Sequence, residues 1–328
     1  MPPQVILVIA LALVFDFLNG VHGSSNILAT MISSRAFRPW TALSLAATAE
    51  FVGPFLFGVA VARTIGAEVV QASDINLQVL MAALLGTIAW SLLTWFLGVP
   101  SSSSQSLIGG LLGAILVSAG MGAVRLGGLI KAMLALFVAP LIGFGIGFVL
   151  TRLIFFLARG ASPRINDFFK RSQLITAMVL ALSHGANDAQ KAMGIIVLSL
   201  VIGGFLPDFR VPIWVIAISA AGIALGTVLS GWRLIRTLGG KFYKIRPVHS
   251  FSAQLTSALV ILVSSVIGWP VSVTQVASSA IIGVGASERL GKVRWGAVSE
   301  ILVSWFLTIP AAGLVSAGIY WLIIKYAM

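Results

Sequence analysis

Cysteine is absent from this chain, which excludes disulfides and thiolate metal ligands. Histidine is nearly absent. There are three, His22, His184 and His249, and none stands in an HExxH-type spacing, so the zinc-hydrolase motifs are missing. Charge is scarce as well: Asp and Glu together number 9, and charged residues make up 9% of the 328, against about 25% in a soluble domain. What fills the chain is apolar, at 59% hydrophobic residues and a mean hydropathy of +1.06. Water cannot solvate such a surface, so the solvent must be lipid. About 20 apolar residues cross the hydrocarbon core, and the length therefore accommodates roughly ten spans with short loops. Backbone at membrane depth has to satisfy its own hydrogen bonds, so the fold class is an all-α polytopic membrane protein. The net charge of +12 would suggest nucleic acid in a soluble protein. Here it reads as basic loops gathered on the cytoplasmic side, and no nucleic-acid partner is expected.

Apolar segments fall at 5–29, 41–64, 78–98, 105–121, 129–157, 173–204, 212–231, 250–268, 272–287 and 295–326. The first 20 residues lack a basic lead-in and contain Asp16, the pattern of a first membrane segment and not of a cleaved signal. The segments at 105–121 and 272–287 are short enough to be halves of re-entrant hairpins. Basic residues gather at Arg35 and Arg38, at Arg159, Arg164, Lys170 and Arg171, at Arg233, Arg236, Lys241, Lys244 and Arg246, and at Arg289, Lys292 and Arg294. The loop with Glu68 and Asp74 is acidic, and 205–211 is neutral. Placing the basic loops in the cytoplasm of a bacterial inner membrane puts both termini outside. It also puts Arg125 outside, the poorest fit to the rule. The chain divides into an N-terminal repeat (1–157), a basic cytoplasmic linker (158–172) and a C-terminal repeat (173–328).

The halves then run in opposite directions, and the sequence carries a matching internal echo. Pro100 and Pro270, Gln105 and Gln275, Gly113 and Gly283, and Pro140 and Pro310 are each 170 residues apart, and Gly20 and Gly185 are 165 apart. Two inverted-topology repeats, with interrupted helices or re-entrant hairpins at mid-membrane, are the pattern of secondary transporters.

Polar residues inside apolar segments are expensive and mark candidate sites. Asp16, Asn19, Gly20, Gly23 and Asn26 stand in one cluster, where glycines permit local unwinding and Asn or Ser side chains can ligate an ion; a polar hinge is the plainer alternative. The run from Ser183 to Lys191 occupies the corresponding place in the second half. Its Asp188 and Lys191 pair if the segment is helical, either as a structural ion pair or as a cation site with Lys191 supplying positive potential. His184 reads as a packing residue before a proton carrier. Glu50 sits in Ala46–Pro54, where a carboxylate is protonated, paired or beside water. Finally, Pro100-Ser101-Ser102-Ser103-Ser104-Gln105 and Pro270-Val271-Ser272-Val273-Thr274-Gln275 each place proline and hydroxyls before an apolar helix. Besides capping, such termini offer free amide donors and partial positive charge. Brought together by inverted symmetry, they would surround a tetrahedral oxyanion.

These residues resemble the inorganic phosphate transporter (Pit) family, over about residues 10–320. Asp16 to Gly20 with Asn26 to Thr30 is similar to its first signature, and His184 to Gly194 to its second, in the bacterial form. Val293 to Gly296 with Trp305 to Pro310 is similar to its last helix. The resemblance implies two inverted halves, often assembled as oligomers, that bind inorganic phosphate near mid-membrane. It assigns Ser102, Ser103, Ser104, Ser272 and Thr274 to the anion, beside Gln105 and Gln275, with Asn26 and Asn187 nearby. It assigns Asp188 and Glu50 to the coupling cation, a proton or sodium, alongside Asp16 and Asn19 of the first cluster; no other cofactor is implied.

The chain departs from the family pattern in several places. Gly23 stands where an acidic residue is usual, Gln254 where glutamate is frequent, and Gln105 and Gln275 where histidine is usual. Each change removes a titratable or cation-binding group and turns the expectation toward proton coupling or fewer coupling ions. Sulfate or another tetrahedral oxyanion is the alternative substrate class. A lipid-directed membrane enzyme and a channel are the rivals of other classes, and the first lacks a nucleophile and base at the interface.

Overall fold

The computed structural model describes the backbone of residues 1–33, 39–99, 101–162, 164–238, 246–293 and 295–327, and the side chains of these residues except 24–33, 39, 230–238, 292, 297 and 327. Arg35, Arg38, Pro100, Lys241, Lys244 and Arg294, and the side chains of Asn26, Arg233, Arg236 and Lys292, lie outside the described residues. Among the described residues, eleven α-helices follow in order: α1 (Pro3–Ser33), α2 (Pro39–Leu56), α3 (Ala60–Arg63), α4 (Leu77–Leu97), α5 (Ser103–Ser118), α6 (Leu126–Leu157), α7 (Ile165–Ile202), α8 (Ile213–Leu238), α9 (Pro247–Ile267), α10 (Val273–Glu288) and α11 (Trp295–Ala327). Every apolar segment read from the sequence carries a helix. The segment 41–64 is not straight: after Pro54 it breaks, and α3 with the π-helical turn Thr64–Glu68 departs at 68°. A proline removes a helix donor and clashes with the preceding turn, which weakens the helix there. Gln190 of α7 then holds the displaced piece, its Oε1 accepting from the backbone N–H groups of Val61 at 2.7 Å and Ala62 at 3.3 Å.

Among the described residues, five helical stretches are long and apolar enough to cross a membrane, at Pro3–Gly23, Leu77–Leu97, Leu126–Leu157, Pro247–Ile267 and Val298–Tyr326; the bent pair makes a sixth. The 38-residue α7 falls short of that measure because the polar run 183–191 lies at its centre. Residues 183–200 of α7 are all buried, so other helices cover this polarity and shield it from lipid.

The two repeats show themselves in local geometry. Helices α4 and α9 both end in a left-handed glycine, Gly98 at φ 71° and Gly268 at φ 77°. After each, the next N–H returns to the helix, Val99 to Thr94 O at 2.9 Å and Trp269 to Ser264 O at 2.7 Å. This is the Schellman closure that turns a chain sharply. Helices α5 and α10 then start alike, with Ser102 and Ser272 as N-caps whose Oγ atoms accept from the N–H of Gln105 and Gln275. The result is two equivalent hairpins, α4–α5 and α9–α10.

The hairpins open toward opposite ends of the molecule. The α4–α5 hairpin opens beside the acidic loop, where Val70 bridges Val124 and Arg125 Nη1 donates to Ala67 O at 2.9 Å. The α9–α10 hairpin opens at the basic end, where Glu288 meets His249 at 3.1 Å and Arg246 at 3.6 Å. Helix α6 joins the two ends. Its 32 residues reach about 48 Å, from Gly128 packed on the backbone of Glu68 to Phe155 edge-on against His249.

Packing is swapped between halves. Helix α5 lies on α11 and α10 on α6, with Gly113 against the backbone of Gly313 and Gly283 against that of Phe144. Likewise α1 lies on α8 and α7 on α2, with Gly20 against the backbone of Ile223 and Gly185 against that of Glu50. A side chain at any of these positions would meet main chain. The first polar cluster is not unwound: α1 runs unbroken through Gly20 and Gly23. The glycines serve close helix packing there, and the helix keeps its backbone hydrogen bonds.

Candidate functional site

Two groups of polar residues meet in the interior. The first forms an ion-paired chain across α2 and α7. Positions 184, 188 and 191 fall on one helical face, and all three side chains are buried, as is Glu50. His184 Nδ1 lies 2.7 Å from Glu50 Oε1, and its Nε2 lies 3.5 Å from Asp188 Oδ2. Lys191 Nζ donates to Asp188 Oδ1 at 2.5 Å. The resulting order is Glu50, His184, Asp188, Lys191. Burying charges is tolerated when they pair this closely. His184 is hydrogen-bonded through Nδ1 to Glu50, whereas its Nε2 stands within ion-pair distance of Asp188 and has no hydrogen-bond partner among the described residues.

Gly23 of α1 faces this chain, and a Cβ there would fall on the Nε2 edge of His184. His184 therefore fills the space into which a side chain at position 23 would project. Gly23→Ala is expected to displace the imidazole from its position between Glu50 and Asp188, at about 1–3 kcal/mol of overpacking, and to lower transport about tenfold if these residues serve it. Uptake and thermal stability of the purified variant check this; unchanged uptake would contradict the packing. Asp16, also on α1, is fully buried, and both of its oxygens lack a hydrogen-bond partner among the described residues. It interacts electrostatically with Asp188, Lys191, His184 and Glu50. Asn19 is buried one turn on, its Nδ2 unpartnered.

The second group is the meeting of the hairpin tips. Ser104 Oγ donates to Val271 O at 2.8 Å, so the start of α5 touches the segment that leads into α10. Ser102, Ser104, Gln105, Ser272 and Gln275 are buried, while Ser103 and Thr274 are half-buried. Asn187 ties the two groups together. Its Nδ2 donates to Ser265 Oγ at 3.1 Å and to Trp269 O at 3.2 Å, leaving Oδ1 unpartnered among the described residues. One residue of α7 thus holds the second hairpin tip, and its neighbour Asp188 belongs to the ion chain. Gln254 is engaged elsewhere, accepting from Thr176 Oγ1 at 2.6 Å. The sequence-derived candidates therefore assemble into two adjoining groups, except Asn26, whose side chain lies outside the described residues.

The structure gives His184, read as a packing residue first, a bond to Glu50, and it adds Ser265, Gln190 and the carbonyls of Trp269 and Val271, which the sequence did not single out. The four-residue spacing of His184 and Asp188 was the available signal for the first. Main-chain acceptors leave none.

A model of the phosphate transporter family matches residues 19–316. The "probable low-affinity inorganic phosphate transporter" of Rhizobium meliloti (strain 1021) is 42% identical over 320 residues, covering 97% of this chain and 96% of the relative. Its counterpart in Bacillus subtilis (strain 168) is 41% identical over 322 residues, with the same two coverages. A solved structure described as "The sodium-dependent phosphate transporter" superimposes with a TM-score of 0.89 at 24% identity, covering 98% of this chain and 99% of that one. That likeness bears on the fold.

Proposed function

This chain belongs to the phosphate transporter family, and we propose that it carries inorganic phosphate across the bacterial inner membrane by alternating access, coupled to a proton. The anion sits where the hairpin tips meet, held by Ser102, Ser103, Ser104, Gln105, Ser272, Thr274 and Gln275, with Asn187 and Asn26 beside it. The proton is handled by Glu50 and Asp188 through His184, with Asp16 and Asn19 facing them from α1 and Lys191 supplying fixed positive potential. Both termini lie outside, and residues 158–172 link the two repeats in the cytoplasm.

The observation that carries this reading is the adjacency of Asn187 and Asp188. An extra proton in the ion chain makes the neighbouring anion site more favourable, because opposite charge in a low dielectric interacts strongly. By linkage the anion favours proton loading equally. Asn187 transmits this to the hairpin tip through Trp269. A proton suits the chain better than a metal cation, because the cluster holds a histidine where position 23 would contribute a further carboxylate.

His184→Gln tests the reading. It keeps a polar side chain but removes the proton relay between Glu50 and Asp188. Phosphate–phosphate exchange across proteoliposomes is expected to persist, while accumulation driven by a pH gradient falls about tenfold or more. Accumulation at the unmodified level would sink the assignment of the proton to this chain.

A further inference from the structure

Ser102-x-x-Gln105 and Ser272-x-x-Gln275 have the spacing of a capping box, in which the N-cap hydroxyl accepts from the N–H at the third helical position and that residue's side chain reaches back to the N-cap N–H. In both hairpins only half of the box is made. The serine Oγ accepts from the glutamine N–H, at 3.2 Å for Gln105 and 3.4 Å for Gln275. The returning bond is missing: Oε1 and Nε2 of both glutamines have no hydrogen-bond partner among the described residues. Yet Gln105 is 0% exposed and Gln275 is 1% exposed. Two complete amide groups are thus buried and unbonded at equivalent positions of the two repeats. Side chains early in a helix lean toward its N-terminus, here toward the junction where Ser104 meets Val271. Of the nearby hydroxyls, Ser102 and Ser272 accept as caps and Ser104 donates to Val271 O, while Ser101 Oγ is itself buried without a partner among the described residues.

A buried polar atom left unpaired is destabilising, so these amides are expected to find partners on a ligand. An amide presents a donor and an acceptor together. A fully deprotonated tetrahedral oxyanion can only accept, and it leaves each Oε1 unpaired whichever way the amide is turned. Hydrogen phosphate has one O–H to give, which pairs one of the two Oε1 atoms, while sulfate pairs neither. We infer that Gln105 and Gln275 are specificity-determining residues that read a proton on the transported oxyanion and so select hydrogen phosphate over sulfate. This rests on the proposed phosphate site and adds to it the protonation state of the substrate and the basis of its selectivity. Gln105 and Gln275 carry the test because, unlike Asn187, whose Nδ2 is bonded, neither end of their amides has a partner among the described residues.

The test is labelled phosphate uptake into proteoliposomes of the full chain, slightly above neutral pH, against three unlabelled competitors. Arsenate carries a proton in that range; sulfate and monofluorophosphate do not. Arsenate is expected to inhibit at concentrations about tenfold or more below either of the others. Gln275→Met and Gln105→Met should each narrow that gap about tenfold, and Gln275→His, which offers one donor and one acceptor, should restore it. Sulfate or monofluorophosphate competing as well as arsenate against the unmodified protein, with phosphate uptake intact, would overturn this inference alone. Accumulation of labelled sulfate in place of phosphate would overturn it together with the proposed function.

Discussion

Asp188→Asn is expected to abolish gradient-driven phosphate accumulation and to destabilise the protein by about 3–5 kcal/mol. Among the described residues, Asp188 is the carboxylate within ion-pair distance of both Lys191, at 2.5 Å, and His184, at 3.5 Å. Neutralising it leaves Lys191, which is 0% exposed, as a buried ammonium without a counter-charge. Removing one partner of a buried pair costs far more than removing both. The double variant Asp188→Asn with Lys191→Met should therefore recover much of the lost stability, read as the thermal midpoint in detergent, and none of the accumulation. Recovery of uptake in the double variant would make the pair structural and would remove Asp188 from coupling.

Gly185→Val is expected to prevent assembly of the folded protein in the membrane. Any Cβ at 185 falls on the main chain of Glu50, its carbonyl oxygen included, and main chain cannot turn aside as a side-chain end can. Helix α7 would have to retreat from α2, which separates His184 from Glu50 and opens the buried run 183–200 to lipid. Inside a bilayer such close approaches are built from small residues, so the loss is large. Gly318→Ala is the matched control: a Cβ there meets nothing within 4 Å, and it should express and transport normally. Equal yields of monodisperse Gly185→Val and Gly318→Ala protein would contradict the swapped α2–α7 packing.

These two positions illustrate what the sequence discloses. The polarity of Ser183–Lys191 and the 170-residue echo of Pro, Gln and Gly were readable, because a buried ion and a repeated turn both need particular residue types. The ten segments were readable for the same reason, since lipid tolerates little else. The break after Pro54 was not, because proline within a membrane helix is compatible with a straight, kinked or broken span. Its outcome depends on Gln190, more than a hundred residues later, reaching the N–H groups of Val61 and Ala62. Nor was the integrity of α1 readable. Gly20 and Gly23 permit unwinding as readily as close packing, and the partners that decide between them, Ile223 and His184, sit on other helices. His184 is the same case on the functional side. A single histidine on a helix says little until Glu50 and Gly23 close around it.

Membership of the phosphate transporter family makes this protein a transporter and not an enzyme. The central claim beyond membership is that proton movement through Glu50, His184 and Asp188 is tied to phosphate movement at the hairpin tips. The most direct test is labelled phosphate flux into proteoliposomes of the purified chain, with a pH gradient (acid outside) imposed in sodium-free medium and a sodium gradient imposed separately at equal pH. Accumulation above the equilibrium level with the pH gradient alone is the predicted result. Accumulation that requires the sodium gradient, or flux that neither gradient drives uphill, would contradict it.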